Sequence, residues 1–299
     1  MKVLNFGSCN IDFVYSLDHI VAPGETESSA QMQIFPGGKG LNQSIALAKA
    51  GVAVYHAGCI GEDGKLLLDT LQASGVDTRY LRQVDAKNGH AMIQVSKEGE
   101  NSIVLFAGSN VMITEEQIDA VLADFAEGDI LLLQNEINSV DLLIEKAYEK
   151  GMVTILNPSP FNGQIGRMNL SHISCLILNE VEAKGFSGSE DVQESLTYLR
   201  KRYPNLNVML TLGKKGCVYA SGEETVCQDA FPVHAVDTTA AGDTFTGYFI
   251  AGIVEGLPYS EILKRACAAS AIAVTRNGAA PSIPSVPEVM AFLQEKEAL

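Results

Sequence analysis

Ile130-Leu131-Leu132-Leu133-Gln134-Asn135-Glu136 is a short apolar run that stops abruptly at three polar residues. An unbroken run of this kind fits a strand buried on both faces, because neither side of it meets water. A helical segment follows over 139–149, and a second apolar run spans Val153–Leu156. Strand, helix and strand at these lengths form a crossover unit with parallel strands. The rhythm extends both ways. A helix is expected over 115–125, a strand at Leu176–Leu178, a helix over 190–201 and a strand from Val208 to Leu212. Upstream, Lys2–Phe6 opens the fold as a strand ending at Gly7, Val52–Cys59 is another, and Gly61-Glu62-Asp63-Gly64 starts a helix that reaches about Ala73. The expected class is α/β, a mainly parallel sheet with helices on both faces.

Polar clusters follow the strands. They are Ser8, Cys9, Asn10 and Asp12; Gln134-Asn135-Glu136; Asn179-Glu180-Val181-Glu182; and Thr211-Leu212-Gly213-Lys214-Lys215-Gly216. All fall at carboxyl ends, the edge on which a doubly wound sheet binds ligands. Two stretches break the rhythm, about 12–36 and 79–106, where short strands alternate with turns such as Pro23-Gly24, Asn88-Gly89 and Glu98-Gly99. These predict hairpins in a small sheet lying over the main domain as a lid. No repeat or flexible linker divides the chain, so 1–299 reads as one domain.

Two further stretches carry chemistry. Phe35-Pro36-Gly37-Gly38-Lys39-Gly40-Leu41-Asn42-Gln43-Ser44 places glycines around a lysine ahead of a helix ending at Gly51, which allows close backbone approach to a ligand. It lacks the order of a P-loop, and the lone Gly7 after the first strand is not a dinucleotide fingerprint. Val236-Asp237-Thr238-Thr239-Ala240-Ala241-Gly242-Asp243-Thr244-Phe245-Thr246-Gly247 puts small residues at a helix mouth, where backbone N–H groups and the helix dipole favour an anion. Asp243 would repel a phosphate there, unless its task is to take a proton from the group that attacks it. A second long helix is expected over Tyr259–Val274, and a terminal helix carries Val286, Val289, Met290, Phe292 and Leu293.

The chain of 299 residues is 46% hydrophobic and 19% charged, with formal net charge −15. That balance argues against nucleic-acid or anionic-membrane partners. Six scattered cysteines without a C-x-x-C pair, and no signal peptide at Met1-Lys2-Val3-Leu4-Asn5, read as reduced thiols of a cytoplasmic protein. The histidines show no zinc-ligand spacing, and no apolar run reaches the ~20 residues of a membrane span.

Taken together, Gly37-Gly38-Lys39-Gly40-x-Asn42-Gln43, Asn179-x-x-Glu182 and Asp237-Thr238-x-Ala240-Ala241-Gly242-Asp243 resemble the ribokinase-like (PfkB-type) family of carbohydrate kinases. Gly7-Ser8-x-Asn10-x-Asp12, Thr211-Leu212-Gly213 and Val274-Thr275-Arg276-x-Gly278-Ala279-x-Pro281-Ser282 extend the likeness over essentially the whole chain, within the ribokinase branch. The resemblance implies a Rossmann-like α/β domain with a β-sheet lid. It implies transfer of the γ-phosphoryl of ATP to a primary hydroxyl of a free sugar, with D-ribose the leading acceptor. By that resemblance Asn10, Asp12, Gly38, Lys39, Asn42 and Glu136 contact the sugar. Asp243 accepts the proton of the attacking hydroxyl, and the amides of Ala240, Ala241 and Gly242 form an anion hole. Asn179 and Glu182 place the triphosphate and Mg2+, while Thr211, Gly213 and Gly216 border the nucleotide, with Gly242 at its phosphate end. Asp237 and Ser282, with backbone oxygens of Thr239, Ala273, Arg276 and Gly278, form a K+ site. The family also implies homodimerisation through the lid sheet.

The chain departs from the family at several places. Ala240 stands where many relatives have Gly, although ribokinases often carry Ala there, so this departure favours that branch. Cys267 stands where Asn or His borders the adenine, and Leu41 and Ser44 replace alanines beside the sugar loop. Rival expectations are a kinase of this fold for a ketohexose, a sugar acid or a nucleoside, or a silent sugar sensor. The intact Gly242 and Asp243 count against the sensor. The intact nucleotide motifs count against a nucleoside-cleaving enzyme, which would need no ATP.

Overall fold

The computed structural model describes residues 1–297. Its main sheet is opened by β1 (Val3–Phe6), whose residues alternate between two hydrophobic layers: Val3 faces one, Leu4 and Phe6 the other. β8 (Ile130–Gln134) repeats this, with Ile130 and Leu132 on the first side and Leu131 and Leu133 on the second. Burial on both faces is why these strands read as unbroken apolar runs. β4 (Val54–Ile60) and β5 (Asp77–Gln83) lie on one side of β1. On the other side come β8, β9 (Val153–Asn157), β10 (Cys175–Asn179) and β11 (Asn207–Thr211), all parallel. The sheet is nine-stranded because β12 (Cys217–Ala220) and β13 (Thr225–Gln228) add an antiparallel edge. Neither was expected from the sequence, since such brief segments around Ser221-Gly222 carry too little periodicity to stand out.

The first hydrophobic layer is covered by α1 (Lys39–Lys49), α2 (Lys65–Ala73), α7 (Ala241–Glu255), α8 (Tyr259–Ala273) and α9 (Val286–Glu297), through residues such as Leu41, Leu67, Phe249, Leu263 and Leu293. The second is covered by α3 (Glu115–Leu122), α4 (Val140–Glu149), α5 (Glu180–Ser187) and α6 (Val192–Arg202), through Ile118, Leu143, Ala183 and Leu196. Helices on both faces agree with the expected class. α5 was unforeseen as a helix. A capping box starts it, in which Asn179 Oδ1 accepts from Glu182 N and Glu182 Oε2 accepts from Asn179 N, both at 2.9 Å.

A separate four-stranded sheet is ordered β3 (Gln31–Gly37), β2 (Asn10–Ser16), β6 (Gly89–Val95), β7 (Asn101–Phe106). The expectation for 79–106 needs correction at its start, because β5 pairs with β4 in the main sheet. Asn88-Gly89 therefore turns no hairpin. Asn88 is buried and donates to the carbonyls of Cys9 and Gly89, so it holds the crossing between sheets together. Glu98-Gly99 does lie at the turn of the antiparallel β6–β7 hairpin, with Gly99 at φ 82°.

Among the described residues no helix is long and apolar enough to cross a membrane. The cysteines are all free.

Candidate active site

In the main sheet β1 is flanked by β4 on one side and β8 on the other, so the strand order reverses there. That switch point opens a crevice at the carboxyl ends of the strands, and the polar residues after β1 and β8 meet there. Ser8 Oγ donates to Glu136 Oε2 at 2.5 Å, and the same oxygen accepts the backbone N–H of Lys39 at 2.9 Å. The first turn of α1 is thereby docked onto both strand ends. Only glycine permits this at position 40, where a Cβ would lie 2.3 Å from the Ser8 nitrogen. Gly38, at φ 91°, starts the helix.

α7 enters from the other side. Its cap residue Ala240 is left-handed, φ 59° and ψ 10°, and no side chain caps the helix. The Ala241 N–H donates to the Thr238 carbonyl at 3.3 Å, while no partner is found among the described residues for those of Gly242 and Asp243, which face the mouth where a ligand can take them. Gly242 is exposed at this mouth, and a Cβ there would touch nothing. α1 and α7 pack tightly, because at Gly247 a Cβ would come within 2.4 Å of the Ala46 side chain. The closeness brings Asn42 and Gln43 to Asp243. Asn42 Nδ2 donates to Asp243 Oδ2 at 3.0 Å, and Gln43 Nε2 donates to Asp243 Oδ1 at 2.8 Å. Asp243 is 7% exposed. Asn42 Oδ1 is buried without a partner, the kind of orphan that a ligand hydroxyl satisfies.

Asp12, on β2, belongs to the same electrostatic group. Burial first, then the carboxylates of Glu136 and Asp243, push it up to about 7. Burial also raises Glu136, against the opposing pull of Lys39 and Ser8. For Lys39 burial alone would lower the value, but Asp243, Glu136 and Glu182 outweigh it and hold the ammonium above its ordinary range. One cation thus stands among the carboxylates. Asn10, buried at the start of β2, accepts from Asn110 Nδ2 at 2.7 Å.

The remaining expected residues divide into two groups. Glu182 is buried with one oxygen committed to the α5 cap. Thr211 Oγ1 donates to the Leu178 carbonyl at 3.4 Å, and Gly213 (φ 53°) and Gly216 (φ 99°) bracket the turn after β11. Cys267 is buried on α8, its sulfur 3.6 Å from that of Cys217. Among the described residues no hydrogen bond joins this end to Asp243. The second group is tied internally. Asp237 accepts from Thr239 N at 2.8 Å and Gly278 N at 2.9 Å, and its own N–H donates to the Val274 carbonyl. Arg276 N donates to the Ala273 carbonyl, and Arg276 Nη1 reaches the Ser282 carbonyl at 3.5 Å. Burial pulls the Asp237 carboxyl upward, but the Thr239 and Gly278 bonds prevail and hold it low.

The sequence reading missed the supports. Ser8, Gln43 and Gln134 lay inside clusters already singled out, yet nothing in their order marked them as hydrogen-bonded to the site. Asn110 gave no signal at all, since its partner is 100 residues away.

The profile of pfkB family carbohydrate kinases matches residues 1–286. The ribokinase of Haemophilus influenzae is 37% identical over 297 residues, spanning 96% of this chain and 97% of its own. That of Bacillus subtilis is 35% identical over 292 residues, spanning 96% and 97%. Among solved structures, ribokinase from Thermotoga maritima superposes with a TM-score of 0.87 at 35% identity over 98% of this chain and 99% of that one. Arabidopsis thaliana ribokinase complexed with ribose and ATP gives 0.86 at 30% identity, covering 98% of each chain.

Proposed function

The chain belongs to the pfkB family of carbohydrate kinases, and from that membership we propose that it transfers the γ-phosphoryl group of ATP to the primary hydroxyl of free D-ribose, giving ribose 5-phosphate. The observation that carries the reading is Asp243, a buried carboxylate held by two amide donors at the mouth of an uncapped helix. A base and an anion cradle side by side suit a hydroxyl attacking a phosphoryl group. Asp243 takes the hydroxyl proton, while the amides of Ala240, Ala241 and Gly242 receive the charge on the transferring group.

Asn10, Asp12, Gly38, Lys39, Asn42 and Glu136 hold the sugar. Donors and acceptors alternate among them, as a polyol requires, and the unpaired Asn42 Oδ1 is ready to accept from a sugar hydroxyl. The four-stranded sheet closes over the sugar as a lid and excludes water. Ribose is favoured by the ribokinase relatives and by the ribose held in the Arabidopsis enzyme.

Asn179, Glu182, Thr211, Gly213 and Gly216 border ATP. Mg2+ fits beside Glu182, whose second carboxylate oxygen lies outside the capping box, and a hard cation takes oxygen donors. It would neutralise triphosphate charge. K+ is assigned to the Asp237 group, whose carboxylate is held by the backbone N–H groups of Thr239 and Gly278; by family resemblance the further donors would be backbone oxygens of Thr239, Ala273, Arg276 and Gly278 and an oxygen of Ser282. It would steady the backbone behind the anion hole.

The small sheet is also the proposed dimer interface. Ile34, Phe13, Met92 and Val104 form one cross-strand row, in which Ile34, Met92 and Val104 are 49%, 47% and 63% exposed. Burying such a row against a second copy removes apolar surface from water. The free cysteines and the formal net charge of −15 support the reading of a cytosolic enzyme whose partners are small molecules.

The test is ATP consumption measured across free pentoses, ketohexoses, sugar acids and nucleosides. Ribose should give the highest kcat/KM. A higher value for any other class would replace ribose, and no ATP use with any of them would sink the kinase reading.

A further inference from the structure

The reaction above gives Gln43 no part, although its amide lies against the proposed base at 2.8 Å. We propose that Gln43 is a positioning residue for phosphoryl transfer, fixing the plane in which the Asp243 carboxylate faces the attacking hydroxyl. The inference rests on the assignment of Asp243 as the base.

Three observations carry it. Gln43 is fully buried, at 0% exposure, so its polarity needs a reason other than solubility. Its amide is held the right way round from both ends. Nε2 donates to Asp243 and lies 3.2 Å from Asn157 Oδ1, while Oε1 accepts from Gln134 Nε2 at 2.7 Å. A flipped amide would set its oxygen against the Asp243 carboxylate and its NH2 against that of Gln134. Finally, the supports are anchored in the sheet. Gln134 Nε2 also donates to Asn5 Oδ1 at 2.9 Å, Asn5 Nδ2 donates to Ser44 Oγ and the Gly40 carbonyl at 2.8 Å each, and Asn157 Nδ2 donates to the Ile177 carbonyl at 2.9 Å.

An Asp carboxylate turns easily about its last torsion. With Asn42 on one oxygen and Gln43 on the other, that rotation is stopped. Asn42 faces the substrate as well as the base; Gln43 faces only the base and the sheet. A residue used merely to fill space would tolerate an apolar side chain of the same length. One that aims the base would not, because small misplacements of a catalytic group are costly in rate.

The experiment compares steady-state kinetics with ATP and ribose for wild type, Gln43→Met, Asp243→Asn and the double variant, with a melting curve for each. Gln43→Met should lower kcat roughly tenfold to a hundredfold, with KM for ribose and ATP changed less than about threefold, because the lost contact is felt after both substrates are bound. Added to Asp243→Asn, it should cost little more, since the two act as one unit. A folded Gln43→Met with wild-type kcat overturns the proposal. So does a loss carried by KM, or an equal further loss in the Asp243→Asn background. If Gln43→Met does not fold, Gln134→Met decides. It keeps the Gln43–Asp243 bond but frees the far end of the amide, so a smaller loss in kcat supports the proposal and wild-type kcat overturns it. A wild-type chain that phosphorylates no sugar overturns the functional reading and this inference with it. An active wild type whose Asp243→Asn variant keeps full turnover removes Asp243 as the base.

Discussion

Asn42 Nδ2 donates to Asp243 Oδ2 across 3.0 Å, although 201 positions separate the two residues in the chain. The bond joins the first turn of α1 to the first turn of α7, so the proposed sugar-binding loop is tied directly to the proposed base. The other end of the same side chain, Oδ1, is buried and unpaired. Asn42 thus links the proposed base to a buried acceptor that a ligand hydroxyl can satisfy, and the two contacts of Asp243 are in place without a ligand.

Replacing Asp243 by Asn should separate binding from turnover. The amide keeps the shape and can still meet Asn42 and Gln43, but it cannot accept the proton. Turnover should fall by roughly 10²–10⁴-fold, while ribose and ATP affinities measured by calorimetry stay within a few-fold. Near-normal turnover would remove the assignment.

Ala240 is held at φ 59°, a left-handed conformation that disfavours a Cβ and above all a branched one. Ala240→Val should destabilise the fold by about 1–2 kcal/mol and slow turnover, because the strain falls on the anion hole. Ala240→Gly should be neutral or stabilising by up to about 1 kcal/mol. Denaturant melts of the pair, read beside their kinetics, check the order.

Asp12 makes stability depend on pH with a definite sign. Its folded-state value is raised from 3.8 to about 7, so between these values the folded chain holds a proton that the unfolded chain has lost. Stability then falls as pH rises from about 4 to about 7. Asp12→Asn removes the proton exchange. Its melting temperature should match wild type near pH 4 and exceed it by roughly 3 °C or more at pH 8. Parallel melting curves across that range would refute the raised carboxyl.

The Asp237 group predicts a preference among monovalent cations. At equal ionic strength K+ should activate more than Na+, and Asp237→Ala should abolish the difference, since the carboxylate that gathers Thr239 and Gly278 is gone. Equal rates in both salts for wild type would end the K+ reading.

Val104→Glu tests the interface. The side chain is 63% exposed, so the monomer should fold normally, but a charge in the apolar row should prevent pairing of copies. Sedimentation should show a dimer for wild type and a monomer for the variant. Identical sedimentation would exclude this face.

Much of this was open to a reader of the sequence. The strand–helix rhythm from 115 to 212 and the two-sided burial of Ile130–Leu133 are local properties of the chain, and local periodicity survives into the fold. The glycines at 38 and 40 and the small residues ahead of Asp243 were likewise readable, because backbone approach demands those residue types wherever it occurs. Elements too brief to show a period escaped, as β12 and β13 did, and α5 was not placed because its start at Asn179–Glu182 reads equally as a helix cap, a turn or a ligand cluster. The placement of 79–84 in the lid failed for a related reason. An exposed-edge strand has the same composition in either sheet, and only its pairing with β4 assigns it.

The sequence by itself therefore determined the class of fold and the family to which the chain belongs, and singled out Asp243 as the proposed base. Which side chains hydrogen-bond to that carboxylate and brace its partners was decided only by the tertiary structure. Gln43, Gln134, Asn5 and Asn157 are drawn from α1, β8, β1 and β9, and their amides meet because parallel strands place distant residues side by side at one edge. A hydrogen bond between residues far apart in sequence leaves no pattern in either segment, so the chain order could single out Asp243 but not what holds it.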